Sequence, residues 1–186
     1  MNELPTETAI TYCRKLANQH NKCVGFIPDT AYARAIAHGN LRILYSDKSP
    51  CGFVFHGPPA PVVRIYQLVV EPDCRLQNHG REGWFAGLAL ALESSAEEIR
   101  WICAENLPAN GFWERVACPP EPLKVQGPNH RRWLYQYRFR LPRGREIETY
   151  LDTQLRNSAA WKIAKLQGVE DWLENHFKKR YRRENP

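Results

Sequence analysis

Few side chains in this sequence could move a proton, and they are scattered along it. Glu105 follows a short apolar run, Trp101-Ile102-Cys103. A carboxylate at such a strand end can serve as a base, although solvation is its commoner fate. His56 and His79 are alternative bases, but no spacing gives either one a partner to set its tautomer. Tyr66 and Tyr135 offer phenols, and Gln67 can hydrogen-bond but cannot take a proton. A second chemistry is polyanion binding. Arg132, Arg138 and Arg140 share one strand-like stretch, and Lys178, Lys179, Arg180, Arg182 and Arg183 crowd the end of the chain. Such a set can grip phosphates, while its bland reading is a solvated tail and a charged strand that resists aggregation. The six cysteines (Cys13, Cys23, Cys51, Cys74, Cys103 and Cys118) form no Cys-x-x-Cys pair, so no metal centre is expected.

The elements that must position these residues can be read from periodicity. Ile65, Leu68, Val69 and Val70 form an apolar run expected of a strand buried on both faces, ended by Pro72-Asp73. A loop with Gly80 and Gly83 follows. Trp84, Leu88, Leu92 and Ala96, with Phe85 and Ala89, then make a helical stripe. Trp101 to Cys103 reads as a second strand. Asn106-Leu107-Pro108 opens a second helix, with Asn106 or Asn110 available as a cap. Upstream, Thr6 to His20 reads as a helix capped by Thr6, and Ala31 to Ala37 as one capped by Asp29 or Thr30 and stopped by Gly39. Between them, Val24 to Pro28 is a short extended piece. Leu41 to Tyr45 and Gly52 to His56 form a hairpin around a Ser46 to Pro50 turn. Downstream, Pro119 to Asn129 reads as a loop. Arg132 to Leu141 alternates strictly, with Trp133, Tyr135, Tyr137 and Phe139 on one face and Arg132, Leu134, Gln136, Arg138 and Arg140 on the other. Glu146 to Arg156, Ser158 to Gln167 and Val169 to Arg183 look helical.

Two motifs in this block carry a resemblance. Gln77-Asn78-His79-Gly80-Arg81-Glu82 is similar to the Gln/Arg-x-x-Gly-x-Gly/Ala loop of the GNAT superfamily of acyl-CoA-dependent N-acyltransferases. Asn106 to Glu114 (NLPANGFWE) is similar to that family's Asn-x-x-Ala-Asn-x-Phe-Tyr/Trp-Glu segment. The resemblance covers roughly Gly25 to Leu141. It implies the GNAT α/β fold: a twisted, mixed, mostly antiparallel sheet flanked by helices. It also implies transfer of an acyl group, acetyl first, from acetyl-CoA or another acyl-CoA to an amine acceptor. Residues 1–141 would be the acyltransferase domain and 142–186 a basic helical extension. By resemblance, Leu68, Val69 and Val70 hold the pantetheine arm. Gln77, Asn78, His79, Gly80, Arg81 and Gly83 cradle the pyrophosphate, and Asn106, Asn110 and Trp113 add contacts. Glu105 is the first candidate base, with Gln67 and Tyr66 in the catalytic set. The first helices and the hairpin would frame the amine pocket.

The sequence departs from the pattern twice. Glu82 stands where Gly or Ala is usual, leaving open whether its carboxylate points to solvent, whether Gly83 takes the role, or whether CoA binding is lost. Trp113 replaces a frequent acid-donating Tyr, and an indole cannot protonate a thiolate. A GNAT-fold module that has lost acyl transfer is therefore the alternative, one that binds or modifies nucleic acid through its basic end. In style the chain is similar to GNAT-type proteins of bacteriophage and mobile elements, some of which modify nucleic-acid bases.

Size and charge bound these readings. The chain has 186 residues, 43% of them hydrophobic and six of them Trp, enough for one domain with a packed core. No stretch approaches the ~20 apolar residues that cross a membrane. The polar, acidic start does not read as a signal peptide, so a cytoplasmic chain with reduced thiols is expected. The net charge of +6 is uneven: residues 131–186 carry 14 Lys and Arg against 7 Asp and Glu. That asymmetry points to a polyanion partner. Composition sets no oligomeric state, and a homodimer is compatible with it.

Overall fold

The computed structural model describes residues 4–58, 61–117, 122–127 and 132–141. The chain divides into two units, Met1–Arg140 and Leu141–Pro186. The elements described below all belong to the first unit. The three helices expected after Gly144, and with them Lys178, Lys179, Arg180, Arg182 and Arg183, lie outside the described residues.

The order is α1 (Thr6–Gln19), α2 (Asp29–Ala37), β1 (Leu41–Ser46), β2 (Ser49–His56), β3 (Val62–Val70), α3 (His79–Glu93), β4 (Glu98–Ala104), α4 (Ala109–Ala117), β5 (Leu123–Gln126) and β6 (Trp133–Arg140). A short 3-10 turn, Pro72–Cys74, follows β3. The strands form one sheet in the order β1-β2-β3-β4-β6-β5. Among the described strands only β3 and β4 run parallel, and they are joined by a helical crossover, α3. Mixed sheet and flanking helices agree with the expected fold class.

The sheet buries one face under each helix pair. Beneath α1 and α2, Cys13, Leu16, Tyr32, Phe53, Phe55 and Val69 make one apolar cluster. Against α3 and α4, the core is aromatic. Trp84 packs edge-on to Trp101 at 5.2 Å and to Phe139 at 5.3 Å, while Trp101 stacks on Tyr137 with an interplanar angle of 7°. Such pairs are worth about 0.5–1.5 kcal/mol each beyond their buried area. The price is Trp101 Nε1, buried with no hydrogen-bond partner.

Several sequence expectations are corrected. Thr6 is the first helical residue of α1 and Asp29 that of α2; each follows a proline, Pro5 or Pro28, and neither helix has a side-chain cap. Proline's fixed φ leads into the helix without one. α3 stops at Glu93, so Ala96 is buried beyond the helix rather than on its stripe. The hairpin strands run longer than expected, with Asp47 at φ 56 in the turn. The stretch expected to be a proline-rich loop contains β5, an edge strand too short and too exposed to show a periodic signal. β6 therefore lies inside the sheet. β3 is not buried on both faces: its residues alternate between buried and partly exposed.

The burial alternates without a break, but the face that the buried residues take changes once, and the change matters for the site. β2 and β3 pair Phe55 with Gln67 but His56 with Ile65, so Tyr66 is an extra residue, a β-bulge. Before it, Ile65 faces α3, where a side chain on Gly87 would meet it. After it, Leu68 faces α3 at Gly83, and Gln67 and Val69 face α1 and α2.

Candidate active site

The centre of the sheet is split. The β3–β4 ladder runs from Val62–Glu98 to Ile65–Trp101 and stops, although β3 continues to Val70 and β4 to Ala104. Beyond the bulge, the main-chain groups of β3 that face β4 have no strand partner. Unpaired backbone donors and acceptors of this kind must find water or a ligand. An extended chain carrying amides, laid between the two strands, would satisfy them.

The α3 N-terminus lies at the chain's exit from β3. Asn78 adopts the left-handed conformation (φ 72) as its N-cap without a side-chain cap, as asparagine tolerates. The first helical bond is Glu82 N–H to Asn78 C=O at 3.0 Å. The amides of His79, Gly80 and Arg81 precede it and have no partner within the helix, which makes an anion seat. Glu82 does not extend away into solvent: its carboxylate turns back to His79 Nδ1 at 3.4 Å. Gly83 is not a substitute for the loop glycine. It is buried, and a Cβ there would lie 2.4 Å from Leu68 Cδ1, so its role is to let α3 sit on β3. Gly80 is needed for a different reason: the Phe112 ring lies 3.1 Å from where its Cβ would be. Gln77 is exposed and its side chain donates to the Asp73 carbonyl at 3.0 Å.

The second motif works mainly inside the protein. Asn110 is buried; its amide nitrogen donates to the carbonyls of Ala104, Glu105 and Leu107, and its oxygen accepts from Tyr137 at 2.9 Å. It thus fastens the end of β4 to α4 rather than presenting itself to a ligand. Trp113 is buried in the aromatic core, 5.0 Å from Trp101. Phe112 lies against Gly80 in the first turn of α3 rather than in the loop expected to hold that glycine. Asn106 is exposed at the turn between β4 and α4.

The three catalytic candidates have different surroundings. Gln67 is 2% exposed and fully engaged: Tyr32 Oη donates to its Oε1 at 2.7 Å, and its Nε2 donates to Gly25 O at 2.6 Å. Tyr66, in the bulge, leans on Phe55 and lies over Gly57, on the β2 side of β3. Glu105 lies across β4, where Lys124 Nζ of β5 donates to its Oε1 at 2.6 Å and Tyr135 Oη of β6 donates at 3.2 Å. The Lys124 bond holds the Glu105 carboxyl below the usual carboxylate range. His56 is buried in the sheet, and burial depresses its pKa; it is a core histidine. The exposed Arg132 donates to Lys22 O at 3.1 Å.

Two of these bonds have a joint effect that the sequence did not announce. Gln67 from β3 and Arg132 from the start of β6 pin the same loop, residues 20–28, at Gly25 and Lys22. Since β4 lies between β3 and β6, the loop crosses the C-terminal end of β4. It borders a cavity of about 90 Å³ whose lining includes Arg14, Asn21, Phe26 and Tyr32. The 2.6 Å Arg14–Asp29 ion pair ties α1 to α2 beside it.

The chain has the GNAT fold. It is similar to an acetyltransferase of the GNAT family from Desulfovibrio desulfuricans (15% identity, 75% of this chain and 95% of that one, TM-score 0.61). It is also similar to a chain of the NatC complex bound to Gag peptide and CoA (15%, 76% and 97%, 0.63). A third likeness is to the ribosomal-protein-alanine N-acetyltransferase from Brucella melitensis (14%, 75% and 98%, 0.59). No family model matches the sequence, and no curated protein matches it.

Proposed function

We propose that the protein transfers an acyl group, acetyl first, from acyl-CoA to an amine. The observation that carries this reading is the early end of the β3–β4 ladder beside an uncapped α3. Pantetheine, with two amides on a thin arm, suits the main-chain groups of β3 from Gln67 to Val70 that lack a β4 partner, although the Val70 carbonyl already accepts from Arg75 Nε at 3.2 Å. The diphosphate suits the free amides of His79, Gly80 and Arg81, with Arg81 adding charge. Solved proteins of the same fold include one bound to CoA and one named as a ribosomal-protein-alanine N-acetyltransferase.

The chemistry asked of the chain is then mostly positional. Holding a thioester against a neutral amine supplies much of the barrier reduction, and main-chain amides at the bulge can polarise the carbonyl. Glu105, held low by Lys124, is a weak base, and Gln67 positions the loop that borders the amine pocket. The acceptor enters from the cavity lined by Phe26 and Tyr32.

Thermal unfolding with acetyl-CoA tests this reading. A ligand at 100 times its dissociation constant adds ~2.7 kcal/mol and raises the melting temperature. Desulfo-CoA, which keeps the diphosphate and the arm, should do the same. No shift with either ligand overturns the enzyme reading in favour of a binding module.

A further inference from the structure

The sheet face turned away from α3 carries a row of cations that acyl transfer does not use. Arg64 on β3, Arg100 on β4 and Arg138 on β6 are successive register partners across three neighbouring strands. Their side chains therefore leave one face in a single line. With ~4.8 Å between strands, the outer two start roughly 10 Å apart. Arg64 and Arg138 are exposed; Arg100 is half-buried and pairs with Glu98. Among the described residues, neither Arg64 nor Arg138 has a carboxylate within ion-pairing distance.

Such a row opposes the fold. Like charges directly opposite one another in a sheet are destabilising, and here two such pairs share Arg100. Glu98 relieves Arg100 alone; an anion lying along the row would relieve Arg64 and Arg138 as well. Its surroundings say which kind. Arg140, two residues beyond Arg138, stands opposite Glu98, and Tyr66 (49% exposed) and Ile102 (59% exposed) stand open on the same face. α1 packs on β2 and α2 on β1, while Arg64, Tyr66, Ile102 and Arg138 are exposed.

We infer that this face binds single-stranded nucleic acid. A phosphodiester strand presents an anion at every unit, which arginine forks grip through two oxygens. Its bases stack on exposed rings, which gives Tyr66 a use. An acidic peptide would answer only the charge. The net charge of +6 draws a polyanion in from a distance. Arg138 and Arg140 belong to the surface expected from sequence; register adds Arg64 and Arg100, and Arg132 donates to the Lys22 carbonyl. The surface is independent of the acyl-CoA reading, because the row lies on β3 before the split, on the face opposite α3.

The test uses the full chain and fluorescein-labelled 20-mers of oligo-dT and oligo-rU, read by anisotropy at several salt concentrations. Arg64→Gln/Arg138→Gln leaves the Arg100–Glu98 pair whole. It should weaken binding at least tenfold and make the slope of log K against log salt shallower by about two. Arg64→Lys/Arg138→Lys should keep the salt slope and lose part of the affinity, because the charge remains and the fork does not. Tyr66→Ala should weaken it severalfold without changing the salt slope. An unchanged melting temperature without ligand confirms that each variant is folded. Three outcomes overturn the proposal: no binding by the parent chain, parental binding by the Gln variant, or displacement of the oligonucleotide by poly-glutamate at equal charge concentration. Loss of binding on deleting residues 178–186, with the Gln variant unaffected, would move the site to the chain end and sink it equally.

Discussion

Tyr32 and Gln67 meet in the interior, hydroxyl to amide oxygen at 2.7 Å, and Gln67 passes the connection on to the Gly25 carbonyl. A helix, the central strand and the loop over β4 are joined by one side chain. Gln67→Leu keeps the bulk and removes both bonds, leaving the buried Tyr32 hydroxyl unpaired, while water can reach the exposed Gly25 carbonyl. The expected loss is about 1–3 kcal/mol in urea unfolding. The KM for the amine should rise while that for acetyl-CoA holds. A fall in kcat with both KM values unchanged would instead put Gln67 at the reacting atoms.

Gly80 and Phe112 make a second test. Gly80→Ala drives a methyl to within 3.1 Å of the Phe112 ring, so the loop or the ring must shift. Acetyl-CoA affinity should fall about tenfold by calorimetry, and Phe112→Leu in the same chain should recover most of it. Gly83→Ala has no such remedy nearby. Its methyl meets Leu68 and Leu44, and overpacking of this kind costs about 1–3 kcal/mol. Absence of recovery by Phe112→Leu would show that Gly80 acts through its backbone alone.

Glu105 is expected to matter less than a base should. Its carboxyl titrates below the ordinary range because Lys124 and Tyr135 donate to it, and a weaker base accepts a proton less readily. Glu105→Gln should change kcat at neutral pH by less than about tenfold. Lys124→Met should move any acid limb of the pH–rate profile upward, since the bond that lowers the pKa is gone. A hundredfold loss in Glu105→Gln would make it the base after all.

His56 sets a pH dependence of stability. Burial holds its pKa in the folded chain below the ordinary histidine value of 6.5, so as pH falls the unfolded chain binds the extra proton first. Stability is then full above about pH 6.5 and declines as pH falls, until the folded chain also protonates. Urea midpoints between pH 7.5 and 5 should show this decline, and His56→Leu should flatten it. An equal slope in the variant assigns the effect elsewhere.

The larger elements were legible because their periodicity is strong: the Trp84–Leu88–Leu92 stripe and the alternation from Trp133 to Phe139 both mark real faces. β5 escaped because a four-residue edge strand, LKVQ, needs little apolar content. The two motifs located the loop and α4 but not the division of labour within them. Phe112 and Trp113 are adjacent, and which ring enters the core depends on helix rotation against Trp101, which spacing does not record. The bulge at Tyr66 was invisible for the same reason: one extra residue changes the pairing, not the composition. The arginine row was hidden by distance in sequence, since Arg64, Arg100 and Arg138 become neighbours only through register.

Four residue pairs hold β3 to β4, and among the described strands that seam alone joins the β1-β2-β3 and β4-β6-β5 portions of the sheet. The weakest line of this sheet thus runs down its middle instead of along its rim. Amides from Gln67 to Val70 on the β4 side should exchange with deuterium faster than those of Val62 to Ile65. A guest threaded into the cleft would act as the missing stitches, so that occupancy stiffens the two halves into one plate.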